Sequence, residues 1–290
     1  MIFTPTKAVG VCQLALPALY WRLNHWTYLR LPDNFSRAEQ SLSLWWEDAG
    51  VSSIAQPTSK KPTKTTTPAK PRVRQNASVS VPNKDRLAMA QKQAASAKTL
   101  EELTAAIAGF DAGALSDGAS RAVIARGNPN ADIMLIGEAP GRDEDRIGKP
   151  FVGRSGQFLD KMFAAIGLGE DELYISNGVF WRPKGNRTPT PEETAMCLPF
   201  VQRHIALIAP NLLITIGGSA SKTMLATETG ITRLRGKWSE YTIKNADGSD
   251  SETVIPLLPM YHPAFVLRKP ATKRQCWQDL QGLQERLQQL

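Results

Sequence analysis

Clustered cysteine is the first thing this 290-residue chain lacks. Its three cysteines, Cys12, Cys197 and Cys276, lie far apart, and no C-x-x-C spacing occurs. A disulfide framework needs paired cysteines and a thiolate zinc site needs close-set ones, so neither is expected. Histidine is equally scarce, with only His25, His204 and His262. No apolar run reaches the roughly 18 residues of a membrane-spanning helix. Ala8 to Leu19 is apolar, but Gln13 and Pro17 interrupt it and no small-residue cleavage site follows. A secretory signal is therefore not expected, and the chain reads as cytoplasmic. Acid is missing from Thr58 to Lys84, which carries Lys60, Lys61, Lys64, Lys70, Arg72, Arg74 and Lys84. No internal repeat is visible.

What is present suits a globular protein: 42% hydrophobic residues and 21% charged. The net charge of +8 favours a polyanionic partner, nucleic acid first. Much of that excess sits in the acid-free run, which reads as a solvated linker. The chain divides into an aromatic-rich segment over 1–54, a disordered basic linker over 55–84 and an α/β domain over 85–290. Within the first segment, Ser36 and Glu39 form a capping box for one short helix that Gly50 stops.

From Asp132 onward, strands alternate with helices. Short β-branched runs at Ile133–Ile136, Leu173–Ser176, Leu212–Ile216 and Val254–Leu258 predict four buried strands. Helices are expected before them, near Asp85–Ala97 and Leu100–Phe110. Others are expected near Gly156–Ile166, after Thr190, over Gly218–Thr227 and from Lys273 to the end. Thr190, Pro191 and Glu193 form a capping box with proline at the first helical position. This alternation predicts a three-layer α/β/α fold around a central, mostly parallel four-stranded sheet.

Open α/β sheets bind ligands at the carboxyl ends of their strands. The loop after the first strand runs Gly137-Glu-Ala-Pro-Gly-Arg-Asp-Glu-Asp145 into Lys149-Pro-Phe-Val-Gly-Arg-Ser-Gly156. Asn177 follows the second strand, and Tyr261-His-Pro-Ala-Phe-Val-Leu-Arg268 follows the fourth. A carboxylate, a phenyl ring, an amide and an imidazole converging at one edge describe a pocket for an extruded nucleobase.

These loops resemble those of the family 4 uracil-DNA glycosylases, over roughly Gly127 to Leu290. The likeness is most specific in GEAPGRDEDRIGKPFVGRSGQ, in the N-R-T-P-T-P-E-E run from Asn186 and in YHPAFVLR. The resemblance implies that the backbone around Gly137, Glu138 and Ala139 binds uracil's edge and that Phe151 stacks on the base. Asn177 would read O4 and N3, since a carboxamide offers both a donor and an acceptor. His262 would donate to O2 as negative charge collects there. The superfamily's best-known branch positions water with an aspartate where this chain has Ala139, so Glu138 or Glu144 takes that role here. Arg154, Ser155 and Gly156 open a helix and suit a phosphate. Arg268 would grip the flanking strand, with Leu267 or Phe265 as the wedge that holds the gap open.

The resembled family carries a [4Fe–4S] cluster on four cysteines, and here the chain departs from it. Trp181 stands at the third ligand position, Cys197 alone is retained, and Phe110 to Gly113 offer no sulfur where the upstream pair belongs. One thiolate cannot hold a cubane cluster, so no cofactor is expected. A covalent uracil-trapping branch carries a basic, histidine-containing insertion, and none is visible here. The expectation is a monomeric uracil-DNA glycosylase of base excision repair that acts on uracil-containing DNA by base flipping. The alternative is a non-catalytic uracil- or DNA-binding member of the same superfamily.

Overall fold

The computed structural model describes residues 83–289. The expected helix over 36–49 and nearly all of the expected linker lie outside them. The linker's last two residues, Asn83 and Lys84, instead open the first helix, α1 (Asn83–Ser96). Next comes α2 (Leu100–Ala108), whose Thr99 side chain accepts the Glu102 N–H as the capping box requires. A single turn, α3 (Ala114–Asp117), leads into the sheet.

The sheet has six strands in the order β1-β3-β2-β4-β6-β5. These are β1 (Ala125–Gly127), β2 (Ile133–Gly137), β3 (Leu173–Asn177), β4 (Leu212–Ile216), β5 (Ser239–Lys244) and β6 (Asp250–Met260). The four expected strands form its parallel centre, β3-β2-β4-β6. Two antiparallel edges correct the expected four-stranded count: β1 pairs with β3, and β5 forms a hairpin with β6. The central strands read as continuous apolar runs because both faces are covered.

Side chains alternate across the pleat, so each strand feeds two cores. Met134 and Ile136 of β2 join one core, with α1, α2, α6 (Pro191–Ile208) and α7 (Gly218–Met224) over it. Ile133 and Leu135 join the other, beneath α5 (Arg154–Ala164), α9 (Pro263–Arg268) and α10 (Lys273–Leu287). Two short helices, α4 (Arg142–Ile147) and α8 (Ile231–Leu234), sit in the connections after β2 and β4. This is the three-layer α/β/α sandwich. Among the described residues, no helix is long and apolar enough to cross a membrane.

Register aligns the carboxyl ends of the central strands. Gly137 of β2 is the partner of Asn177 of β3, and Ile216 of β4 is the partner of Met260 of β6. The residues after these positions therefore emerge along one edge of the sheet.

Candidate active site at the carboxyl edge of the sheet

One cavity of about 710 Å³ opens at that edge, lined by Glu138, Ala139, Phe151, Asn177 and His262 among others. Glu144, Arg154, Ser155 and Arg268 reach the same cavity. Four expected residues do not line it. Gly137 and Gly156 support Phe151 from behind, and Leu267 packs against the second core. Phe265, the other wedge candidate, stacks on Tyr261 at 5.0 Å between ring centroids, with the Lys269 ammonium 5.2 Å above it.

Gly137 is required by close approach. A Cβ there would stand 2.6 Å from the Phe151 ring and would overlap the Asn177 side-chain oxygen. The amide and the ring thus both crowd onto one bare backbone position. Asn177 is only 2% exposed, which fixes its carboxamide in the cavity floor. Phe151 adopts φ 54°, a left-handed conformation that costs a bulky residue energy unless its surroundings enforce it. Gly156, in the first turn of α5, makes room: any side chain there would overlap the Phe151 carbonyl.

The two carboxylates differ in what they hold. Glu144 accepts from three backbone N–H groups, those of Gly141 (3.2 Å), Val152 (3.0 Å) and Gly153 (2.8 Å). These bonds tie Glu144 into the loop, and the residue also lines the cavity. Glu138 makes no such backbone bonds. Burial pushes its carboxyl above the usual range, and a hydrogen bond from the Thr188 side chain partly offsets this.

His262 caps α9 rather than lying in an open loop, as the sequence had suggested. Its Nδ1 accepts the Ala264 N–H at 3.1 Å, and Pro263 fills the first helical position. The proton of the neutral ring therefore sits on Nε2. Desolvation is the main force on this ring, with nearby Arg268 adding to it; the pKa is pushed down to about 4. The ring lies 5.9 Å from Phe151, with the planes 29° apart.

Sequence reasoning missed the far wall, formed by Arg182, Asn186, Arg187 and Thr188. Arg182 donates to the Asn186 side chain at 2.6 Å and lies 4.0 Å from buried Asp145. Arg187 forms a two-pronged pair with Glu193 of α6 at 2.8 and 2.6 Å. Arg142, Arg154 and Arg268 line the same cavity, which therefore carries five arginines. The run from Asn186 carried the signal, but nothing local says that it folds back onto the first strand's loop.

The residues present do not fit an iron–sulfur cluster. At the positions where the resembled family places its ligands, Trp181 is 3% exposed, and its ring lies 6.2 Å from that of Phe110. Phe110 also packs edge-on against Phe200 at 5.1 Å, and Phe180 meets Trp181 at 6.1 Å. Cys197 lies within this aromatic core, and burial pushes its thiol up to about 12. Cys276 belongs to the core on the opposite face of the sheet. Among the described residues, no three His, Cys, Asp or Glu side chains are grouped as metal ligands would be.

The family model described as "Uracil DNA glycosylase superfamily" matches residues 124–281, which begin at β1 and end within α10. The type-4 uracil-DNA glycosylase of Sulfurisphaera tokodaii is 36% identical over 171 residues, 57% of this chain and 74% of that protein. That of Archaeoglobus fulgidus is 36% identical over 163 residues, covering 55% and 78%. That of Saccharolobus solfataricus is 37% identical over 174 residues, covering 57% and 76%. The matched region contains all six strands and every residue that lines the cavity. On these matches and this architecture, the chain belongs to the uracil-DNA glycosylase superfamily, with type-4 enzymes among its relatives.

Proposed function

We propose that this protein excises uracil from DNA by hydrolysing the N-glycosidic bond, leaving an abasic site and free uracil. The observation that carries this reading is the meeting of Phe151, Asn177, Glu138 and His262 in one cavity. An extruded uracil stacks on the Phe151 ring. The Asn177 amide donates to O4 and accepts from N3–H, a pattern that cytosine presents in reverse. As the C1′–N1 bond lengthens, negative charge spreads onto O2, where His262 Nε2–H donates. A donor aimed at charge that develops only in the transition state lowers the barrier. Glu138, in its ionised form, orients the water that adds to C1′. The water gives up a proton to solvent as C1′–OH forms, and the departing uracil anion takes one up, so the step balances.

The arginines that line the cavity hold phosphates and carry no base information themselves. A four-thiolate cluster finds only Cys197 at its expected ligand positions, so no step of this reading is routed through one. Protein incubated with single- and double-stranded oligonucleotides carrying one uracil should yield alkali-labile abasic sites and free uracil. Tight binding of such DNA without turnover would leave a lesion-binding protein instead.

A further inference from the structure

The Phe151 backbone is held in its left-handed conformation by a residue outside the cavity. Arg126 lies in edge strand β1, as the register partner of Ile175. Its side chain is only 7% exposed, an unusual setting for a guanidinium. Nε donates to the Pro150 carbonyl at 2.9 Å and Nη2 to the Phe151 carbonyl at 3.4 Å. The same group pairs with Asp160 of α5 through Nη2 and with Glu170 through Nη1 at 3.5 Å. Every nitrogen of the guanidinium is therefore engaged: two acceptors are the backbone leading into and out of the ring, and two are carboxylates that hold the arginine.

We propose that Arg126, anchored by Asp160 and Glu170, is a positioning residue that sets the Phe151 ring for stacking on the extruded base. The planar fork explains the choice of residue. It serves carbonyls and carboxylates in one plane, which a lysine ammonium cannot do with the same geometry. The brace also offsets the cost of φ 54° at Phe151, by fixing carbonyls that would otherwise turn away. Glu144 fixes the next two N–H groups, of Val152 and Gly153, so the ring is clamped on both sides along the chain.

This inference rests on the glycosylase reading for its kinetic test, and a second readout stands apart from turnover. In a double-mutant cycle, Arg126→Met should lower single-turnover excision roughly 10- to 100-fold, the scale of a reacting group displaced by about 1 Å. The same change in a Phe151→Ala background should cost less than threefold, because the ring it places is gone. Arg126→Lys should recover only part of the loss. An equal loss in both backgrounds would mark Arg126 as a general stabiliser and overturn the proposal. Separately, 4-fluorophenylalanine at Phe151 should give one sharp fluorine resonance that broadens or splits in Arg126→Met protein still folded by circular dichroism. An unchanged resonance overturns the brace even if the protein excises no uracil. Absence of excision by the unmodified protein, with the resonance responding as expected, would sink the glycosylase reading alone.

Discussion

The Ala264 backbone N–H donates to Nδ1 of His262 at 3.1 Å, so the ring's one exchangeable proton is committed to Nε2. That nitrogen is the one available to the cavity. Because burial and Arg268 hold the pKa near about 4, the ring is neutral across the physiological range. In the proposed reaction a neutral imidazole would donate to O2 without repelling the cationic sugar that forms as the bond breaks.

His262→Ala should lower single-turnover excision by about 100-fold, the usual loss for one donor to a developing oxyanion. The pH profile adds a sign. If His262 acts in its neutral form as proposed, its contribution should persist down to about pH 4 and be lost as pH falls through that value. On the proposed reading, an acid limb at higher pH should belong to Glu138, whose carboxyl is raised by burial and would have to be ionised to orient water. Glu138→Gln should remove that limb while His262→Ala keeps it, measured as single-turnover rate against pH. The same ring affects stability. Its folded pKa lies below the ordinary 6.5, so the unfolded chain binds the extra proton and stability falls as pH drops from about 6.5 to about 4.

Glu138 and Glu144 should separate cleanly. Glu144→Gln keeps one acceptor oxygen but sets an amide NH₂ against backbone N–H donors, so it should loosen the loop. Losing one charge-assisted bond of this kind costs about 1.5–3 kcal/mol. Its urea midpoint should drop, and its excision rate should fall only through that loosening. Glu138→Gln should lower the midpoint less than Glu144→Gln does, because Glu138 holds no backbone N–H groups and the amide keeps an acceptor for Thr188. The rate should fall far more. Equal stability losses in both would put them in the same structural role.

Asn177→Asp should weaken the preference for uracil over cytosine. The carboxylate accepts where the amide donated, which suits the cytosine amino group and repels uracil O4. Competition between oligonucleotides carrying either base measures the ratio. An unchanged ratio would reduce Asn177 to a residue that merely ends β3.

Much of this fold was legible because the central strands are short, β-branched and apolar on both faces. The two edges were not. β1 is three residues long, and β5 (Ser-Glu-Tyr-Thr-Ile-Lys) alternates polar and apolar beside a polar turn. Edge strands carry little apolar signal, since one side faces water. Within the site, Phe151, Asn177 and His262 were legible because each follows a strand end. The task of Glu144 was hidden, because its partners are backbone N–H groups eight and nine residues further on, which leave no trace in residue identity. Arg126 was missed for the related reason that its acceptors are carbonyls of another loop.

Cys197 shares one core with Phe110, Phe180, Trp181 and Phe200. Purified under anaerobic conditions, the protein should be colourless and contain no stoichiometric iron. Trp181 and the Phe110–Gly113 stretch supply no sulfur at their positions, and Cys276 lies across the sheet from Cys197. Around the positions where the resembled family carries its cluster ligands, this chain packs Phe110, Trp181 and Phe200. Trp181→Ala should then destabilise the protein by about 3–5 kcal/mol, the cost of emptying a buried aromatic site. Chemical denaturation measures that loss, and single-turnover excision by the remaining folded fraction should change little, because Trp181 does not line the cavity. Four irons per chain, or a Trp181→Ala variant as stable as the parent, would show that something other than ring packing holds this lobe together.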